Sequence, residues 1–193
     1  MSIMRVRFEG IAGLIMSNPV PSMDIYSDIY KALKAVGGKR KKTEADKEEQ
    51  DRLTYLAGLY LNEKGEVIIP ARMIKGVLVA GARKSKMGKQ AQAGLYVGSD
   101  AVLDYGKKLT PEGLWKSDNY KRRDMYLVQR ARIMKIKPYF KDWSFECDIV
   151  FNNELINDSD IKGILEHGEL DIGFGDFRPE YGRFKYEILG IKK

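Results

Sequence analysis

One stretch constrains the fold more than any other. Trp143, Phe145, Cys147, Ile149 and Phe151 alternate with Ser144, Glu146, Asp148 and Val150, the period of a strand with one face buried and one face wet. Such a strand is stable only inside a sheet whose apolar face is covered by another layer. Two further stretches carry the same signature. Met4, Val6 and Phe8 alternate with Arg5, Arg7 and Glu9, and Phe184, Tyr186 and Ile188 alternate with Arg183, Lys185 and Glu187.

The covering layer is legible as helical spacing. After Pro70, a residue suited to a first helical turn, Ile74, Val77, Leu78 and Gly81 form one apolar stripe, with Gly81 expected to let the helix approach a sheet closely. Asp158-Ser159-Asp160 opens a second short helix through Ile161, Ile164 and Leu165. Between the first strand and Pro70, Ile25, Ile29, Leu33 and Val36 predict a helix that Gly37-Gly38 stops. Thr43 is a candidate N-cap with Asp46 in the capping-box position, opening a surface helix that turns apolar only at Leu53 and Leu56. Residues 58–69 read as a hairpin with a glycine turn, 86–94 as a mobile basic loop, and 104–124 as an irregular loop. Tyr126 to Ile136 reads as one long strand with a bulge near Met134.

The larger elements run β, α, β strands, α, β. That order predicts an α+β fold of the ferredoxin-like or RNA-recognition-motif kind, an antiparallel sheet with two helices packing on one face. A single domain over 1–193 is expected, with a helical insertion at 19–65 after the first strand.

Several function classes are excluded by what the 193 residues lack. With 44% hydrophobic and 32% charged residues, the composition is globular. Its apolar runs are too short for a transmembrane helix, and the opening residues alternate charge with apolar side chains rather than forming a signal-peptide block. A cytoplasmic protein without membrane contact is expected. The single cysteine, Cys147, excludes an internal disulfide and sits in a core position of its strand. His167, the only histidine, reads as a helix C-terminus. There is no Ser-His-Asp set, metal-ligand cluster or P-loop, and Gly173-x-Gly175 has no following helix to make a dinucleotide site. No catalytic residue, metal or cofactor is expected.

Net charge is +7 and it is clustered. Residues 72–89 hold Arg72, Lys75, Arg83, Lys84, Lys86 and Lys89 without an acid, and residues 121–137 hold seven basic side chains against Asp124. Runs of one sign attract polyanions. Arg72 and Lys75 near a helix start would add charge to its free N–H groups, a phosphate seat. Arg130 and Arg132 would form a basic strip with Arg5 and Arg7, unless they pair with Glu146 and Asp148 across the sheet. Arg178 and Arg183 flank a loop whose Gly173, Gly175 and Gly182 allow close backbone approach, unless Arg178 pairs with Asp176 or Glu180. Tyr120, Tyr126 and Tyr139 are candidates for stacking on bases.

Two of these motifs are similar to those of a known superfamily. Ile68-Ile69-Pro70-Ala71-Arg72-Met73-Ile74-Lys75-Gly76-Val77-Leu78 resembles the helix start I-P-x-S-x-K-G-x-hydrophobic-R of the RAMP superfamily. Gly173-Phe174-Gly175, with Arg178 and Gly182-Arg183-Phe184, resembles its C-terminal glycine-rich loop. These are RNA-recognition-fold proteins that include backbone subunits of CRISPR effector complexes. From Leu14-Ile15-Met16-Ser17-Asn18 onward the chain also resembles a family of small uncharacterised phage and prophage proteins. The RAMP resemblance implies single-stranded RNA or DNA as partner, bound through phosphates with little sequence preference, and copies assembling head to tail along the strand. Two alternatives stand beside it: a phage interaction factor, for assembly or counter-defence, whose basic surface meets an acidic protein, and a RAMP-type ribonuclease using His167 or the tyrosines.

Overall fold

A computed structural model describes residues 1–128 and 131–192. In chain order its strands and helices begin with β1 (Ser2–Gly10), β2 (Leu14–Ile15), α1 (Val20–Met23), α2 (Asp28–Gly37) and α3 (Glu44–Gly58). Then come β3 (Ile68–Ile69), α4 (Ala71–Lys84), α5 (Gly88–Gly94), β4 (Leu95–Val97), β5 (Ala101–Val102) and α6 (Pro111–Lys116). The chain ends with β6 (Lys121–Val128), β7 (Ala131–Phe140), β8 (Ser144–Phe151), α7 (Asp158–His167) and β9 (Phe184–Lys192). The architecture is α+β with antiparallel sheets. The residues divide into two compact units, one of Met1–Leu14, Glu66–Lys108 and Lys141 onward, the other of Ile15–Gly65 and Leu109–Phe140.

The first unit is built on a four-stranded sheet in the order β4-β8-β1-β9, every neighbouring pair antiparallel. All three alternating stretches named from the sequence are strands of this sheet. Their apolar residues Met4, Val6, Phe8, Phe145, Ile149, Phe151 and Phe184 are buried. Helices α4 and α7 supply Ile74, Val77, Leu78, Ile161, Ile164 and Leu165 to the same core. Burying each such side chain contributes about 1.5–3 kcal/mol. Phe174 plugs the centre, with ring centroids 4.9 Å from Phe184, 5.1 Å from Phe145 and 5.5 Å from Phe8.

Gly81 does serve a close approach, but to α7 rather than to the sheet. A Cβ there would stand 2.5 Å from the Ile164 carbonyl oxygen. Helical spacing marks which face of α4 is buried without saying whether helix or strand meets it.

The second unit holds α1, α2, α3 and α6 with the antiparallel strands β6 and β7. Thr43 and Asp46 form the expected capping box of α3. The buried face of α3 runs through Leu53, Tyr55 and Ala57. Tyr55 is fully buried, its hydroxyl donating to the Tyr120 carbonyl at 2.9 Å and its ring 5.4 Å from that of Trp115. Helix α2 forms where expected, yet none of its residues is fully buried.

Several local expectations need correction. Where a hairpin is expected over 58–69, Gly58 closes α3 and β3 pairs antiparallel with β5, Ile68↔Val102 and Ile69↔Ala101. The long strand with a bulge is a hairpin: β6 and β7 pair antiparallel from Lys121↔Pro138 to Val128↔Ala131. Residues 104–124 hold α6, capped by Thr110 accepting from the Gly113 N–H at 3.1 Å, then a 3-10 turn at Asp118–Tyr120 and the start of β6. Residues 86–94, expected as a mobile loop, carry α5, which packs on α4 and buries Ala91 and Gly94, the latter against Leu155 and Ile156. Small residues bury little area per side chain, so helix α5 has no apolar stripe to betray it.

Candidate nucleic-acid interface

The start of α4 is already filled. Pro70 is the N-cap residue, and the first amide of the helix, which like that of any α-helix has no helical partner, donates from Ala71 to Asp100 Oδ1 at 2.8 Å. The chain's own carboxylate therefore occupies the phosphate seat that the sequence suggests, where the helix dipole favours a negative group. Arg72 is exposed on this first turn. Lys75 reaches sideways, its Nζ donating to the Gln92 carbonyl at 3.0 Å and tying α4 to α5.

The other end of α4 gathers cations. Arg83, Lys86 and Lys89, with Gly88, Gln90 and Gln92, line an open hollow of about 570 Å³. Among the described residues no carboxylate lines it. Gly88 lies so close that a Cβ on it would be 2.6 Å from Arg83 Cγ, which fixes the stem of that arginine against the turn into α5. Lys86 adopts a left-handed φ of 60° in the same turn. Lys84 points elsewhere, its Nζ 3.6 Å from Asp171 Oδ2. That carboxylate also lies 3.8 Å from His167 Nδ1.

The glycine-rich segment is a loop closed on itself. Gly173, Gly175 and Gly182 have φ of 74°, 73° and 71°. Phe174 N–H donates to the Gly182 carbonyl at 2.8 Å, and Gly182 N–H to the Gly13 carbonyl at 2.9 Å. Its glycines serve this internal closure and the burial of Phe174. Arg178 and Arg183 are exposed, and neither forms an ion pair among the described residues, so the expected alternative pairing of Arg178 with Asp176 or Glu180 is absent there. The Arg183 carbonyl accepts from Ile11 and Ala12 at 2.8 and 3.2 Å, which anchors its backbone and leaves its side chain outward.

The basic strip on the sheet does not form as expected. Arg5 is held by Glu146, Nη2 to Oε2 at 3.0 Å, and lies 3.8 Å from Asp148. It takes the partners suggested for Arg130 and Arg132. Arg132 is exposed on β7, in the other unit, and Arg130 lies outside the described residues. The open face of the four-stranded sheet also carries Glu9 and Glu187, so its charges are mixed.

Of the expected tyrosines, Tyr120 and Tyr139 are half-buried and Tyr126 is enclosed. Tyr126 is buried, with Lys137 Nζ 4.7 Å from its ring centre, and the Tyr120 ring meets Phe140 at 5.9 Å. Sequence reasoning passed over three exposed aromatics, Tyr26, Tyr96 and Phe177; Phe177, 45% accessible, is the one next to Arg178 on the glycine loop. Its signal was in the sequence, but nothing in Gly-Phe-Gly-Asp-Phe-Arg tells which phenylalanine is the plug and which faces water.

Cys147 is buried, and desolvation, reinforced by Asp148, pushes its thiol up to about 12. Among the described residues no group of three or more His, Cys, Asp or Glu is placed to hold a metal ion, and no helix is long and apolar enough to cross a membrane.

The structure thus brings Arg83, Lys86 and Lys89 together, with Lys75 bound to the rim through Gln92, and leaves Arg72, Lys84, Arg178, Arg183 and Arg132 outside that hollow. No protein-family model matches the chain, and no curated protein is significantly similar to it.

Proposed function

We propose that this chain binds single-stranded nucleic acid through its phosphates, and that the hollow of Arg83, Lys86 and Lys89 is the principal contact. One observation carries the reading: three cations share a concave surface that no acid lines among the described residues. A bare cluster of that sign raises the local concentration of a polyanion and is neutralised by binding one. Exposed Arg178 and Phe177 on the glycine loop would extend the interface, one to phosphate and one to a base face. We further infer a ferredoxin-like fold of RAMP type for the first unit. Its support is the order β1-α4-β4-β8-α7-β9 along the chain with β4-β8-β1-β9 across the sheet. A cytoplasmic setting suits a chain whose one cysteine is buried in its core.

The test is fluorescence anisotropy with single-stranded RNA and DNA at two salt concentrations, for the native chain and for Arg83→Ser/Lys86→Ser/Lys89→Ser. Binding should fall with salt for the native chain. The triple variant should bind every sequence more weakly, with a salt slope shallower by roughly 0.7 for each phosphate it no longer neutralises. Equal affinity and equal slope in the variant would remove the hollow from the site.

A second reading, an acidic protein partner for the same cations, is favoured by the burial of Tyr126 and the contact of the Tyr120 ring with Phe140, which reduce the expected stacking platform. Absence of any oligonucleotide binding at low salt would select it.

A further inference from the structure

Strand β9 is an edge of the four-stranded sheet. It pairs with β1 on one side, and no strand pairs with its other side among the described residues. Such an edge presents a row of backbone N–H and C=O groups that can template another strand.

The regular part of this edge is bounded at both ends. It begins at Phe184, directly after the glycine loop. It ends at a bulge, because Val6 pairs with Ile188 and Arg5 with Gly190, leaving Leu189 without an opposite residue on β1. The centre of the run from Phe184 to Ile188 is Tyr186. Lys185 and Glu187 flank that centre, both exposed and both on the face opposite the buried Phe184.

We propose that β9 pairs antiparallel with β9 of a second copy of this chain, about a two-fold axis at Tyr186. In that register Lys185 of each copy stands opposite Glu187 of the other, and Phe184 opposite Ile188. Both helical layers then lie on the same side of one continuous sheet. Charge fixes the register: centring the pair on Glu187 would oppose two carboxylates, and centring it on Lys185 would oppose two ammonium groups, each unfavourable directly across a strand pair. The interface is self-complementary and closes on itself, so it yields a dimer rather than the open head-to-tail array that the RAMP resemblance implies. It is independent of the nucleic-acid reading.

Sedimentation equilibrium over a wide concentration range tests it. The expected result is a species of twice the 22.0 kDa chain mass. Glu187→Lys or Lys185→Glu alone should raise the dissociation constant about tenfold or more, since two attractive pairs become repulsive. Combining the two substitutions should restore the dimer. As a second probe, mixing Lys185→Cys with Glu187→Cys chains should give a disulfide chiefly between unlike chains. A monomer at every concentration, assemblies that keep growing, or a dimer indifferent to the single reversals or not rescued by the double one would each overturn the proposal.

Discussion

The carbonyl oxygen of Phe174 lies 1.8 Å from where a Cβ on Gly182 would stand, and Phe174 N–H donates to the Gly182 carbonyl at 2.8 Å. The two residues clasp the glycine-rich loop shut and hold the Phe174 ring in the aromatic core. Gly182 also has a φ of 71°, which an L side chain rarely adopts. Gly182→Ala should therefore cost at least about 3 kcal/mol, through both the clash and the backbone strain. Urea denaturation followed by near-ultraviolet circular dichroism measures it. A variant within a few tenths of the native stability would show that the loop closes in some other way.

Asp100 acts as a cap borrowed from a loop. Its carboxylate accepts the first amide of α4, so Asp100→Ala should destabilise the chain by about 1 kcal/mol, in the range of an ordinary helix cap. The midpoint of urea unfolding should fall with no change in its slope. An unchanged midpoint would mean that water replaces the carboxylate without penalty.

Cys147 should be inert in the folded chain. Burial pushes its thiol up to about 12, so at pH 8 almost no thiolate exists and the sulfur is also shielded. Ellman's reagent should report no free thiol until denaturant is added, and then one. Rapid labelling of the native protein would contradict the burial.

Acid should undo the cap of α3. Hydrogen bonds from Lys39 and from the Thr43 backbone and hydroxyl hold Asp46 down at about 2, below its ordinary range. A carboxylate whose folded value is depressed stabilises the fold fully above its unfolded value, about 3.9, and that contribution is lost as pH falls towards the folded one. The Tm difference between the native chain and Asp46→Asn should thus be constant at neutral pH and shrink between about pH 4 and pH 2. A difference that stays constant down to pH 2 would assign the cap to Thr43 alone.

The alternating strands and the apolar stripes of α4 and α7 were legible because a sheet face or helix face writes its burial into the sequence with period 2 or 3.6. The Thr43–Asp46 capping box was legible because it is local. The β6–β7 hairpin was not, since Gln129 and Arg130 between its strands are neither Gly, Asn nor Asp, the residues that advertise a tight turn. The candidate site was legible only as a collection of cations. The sequence named Arg83, Lys86 and Lys89, but equally Arg72, Lys84, Arg178 and Arg183, and it held no hint that Asp100 would take the helix start or that Glu146 would hold Arg5.

What the sequence alone determined is the class of structure: which residues face a core, and that a surplus of positive charge must lie outside it. Side-chain period and solvation act residue by residue, so a one-dimensional reading reaches them. Only the tertiary structure decided which charges remain available. Ala71 and Asp100 are brought together by a loop, Arg5 and Glu146 by two strands far apart in the chain, and Lys75 and Gln92 by two packed helices. Neutralising or sparing a charge depends on distances of a few ångströms between distant segments, and those are set by how the covered sheet is assembled.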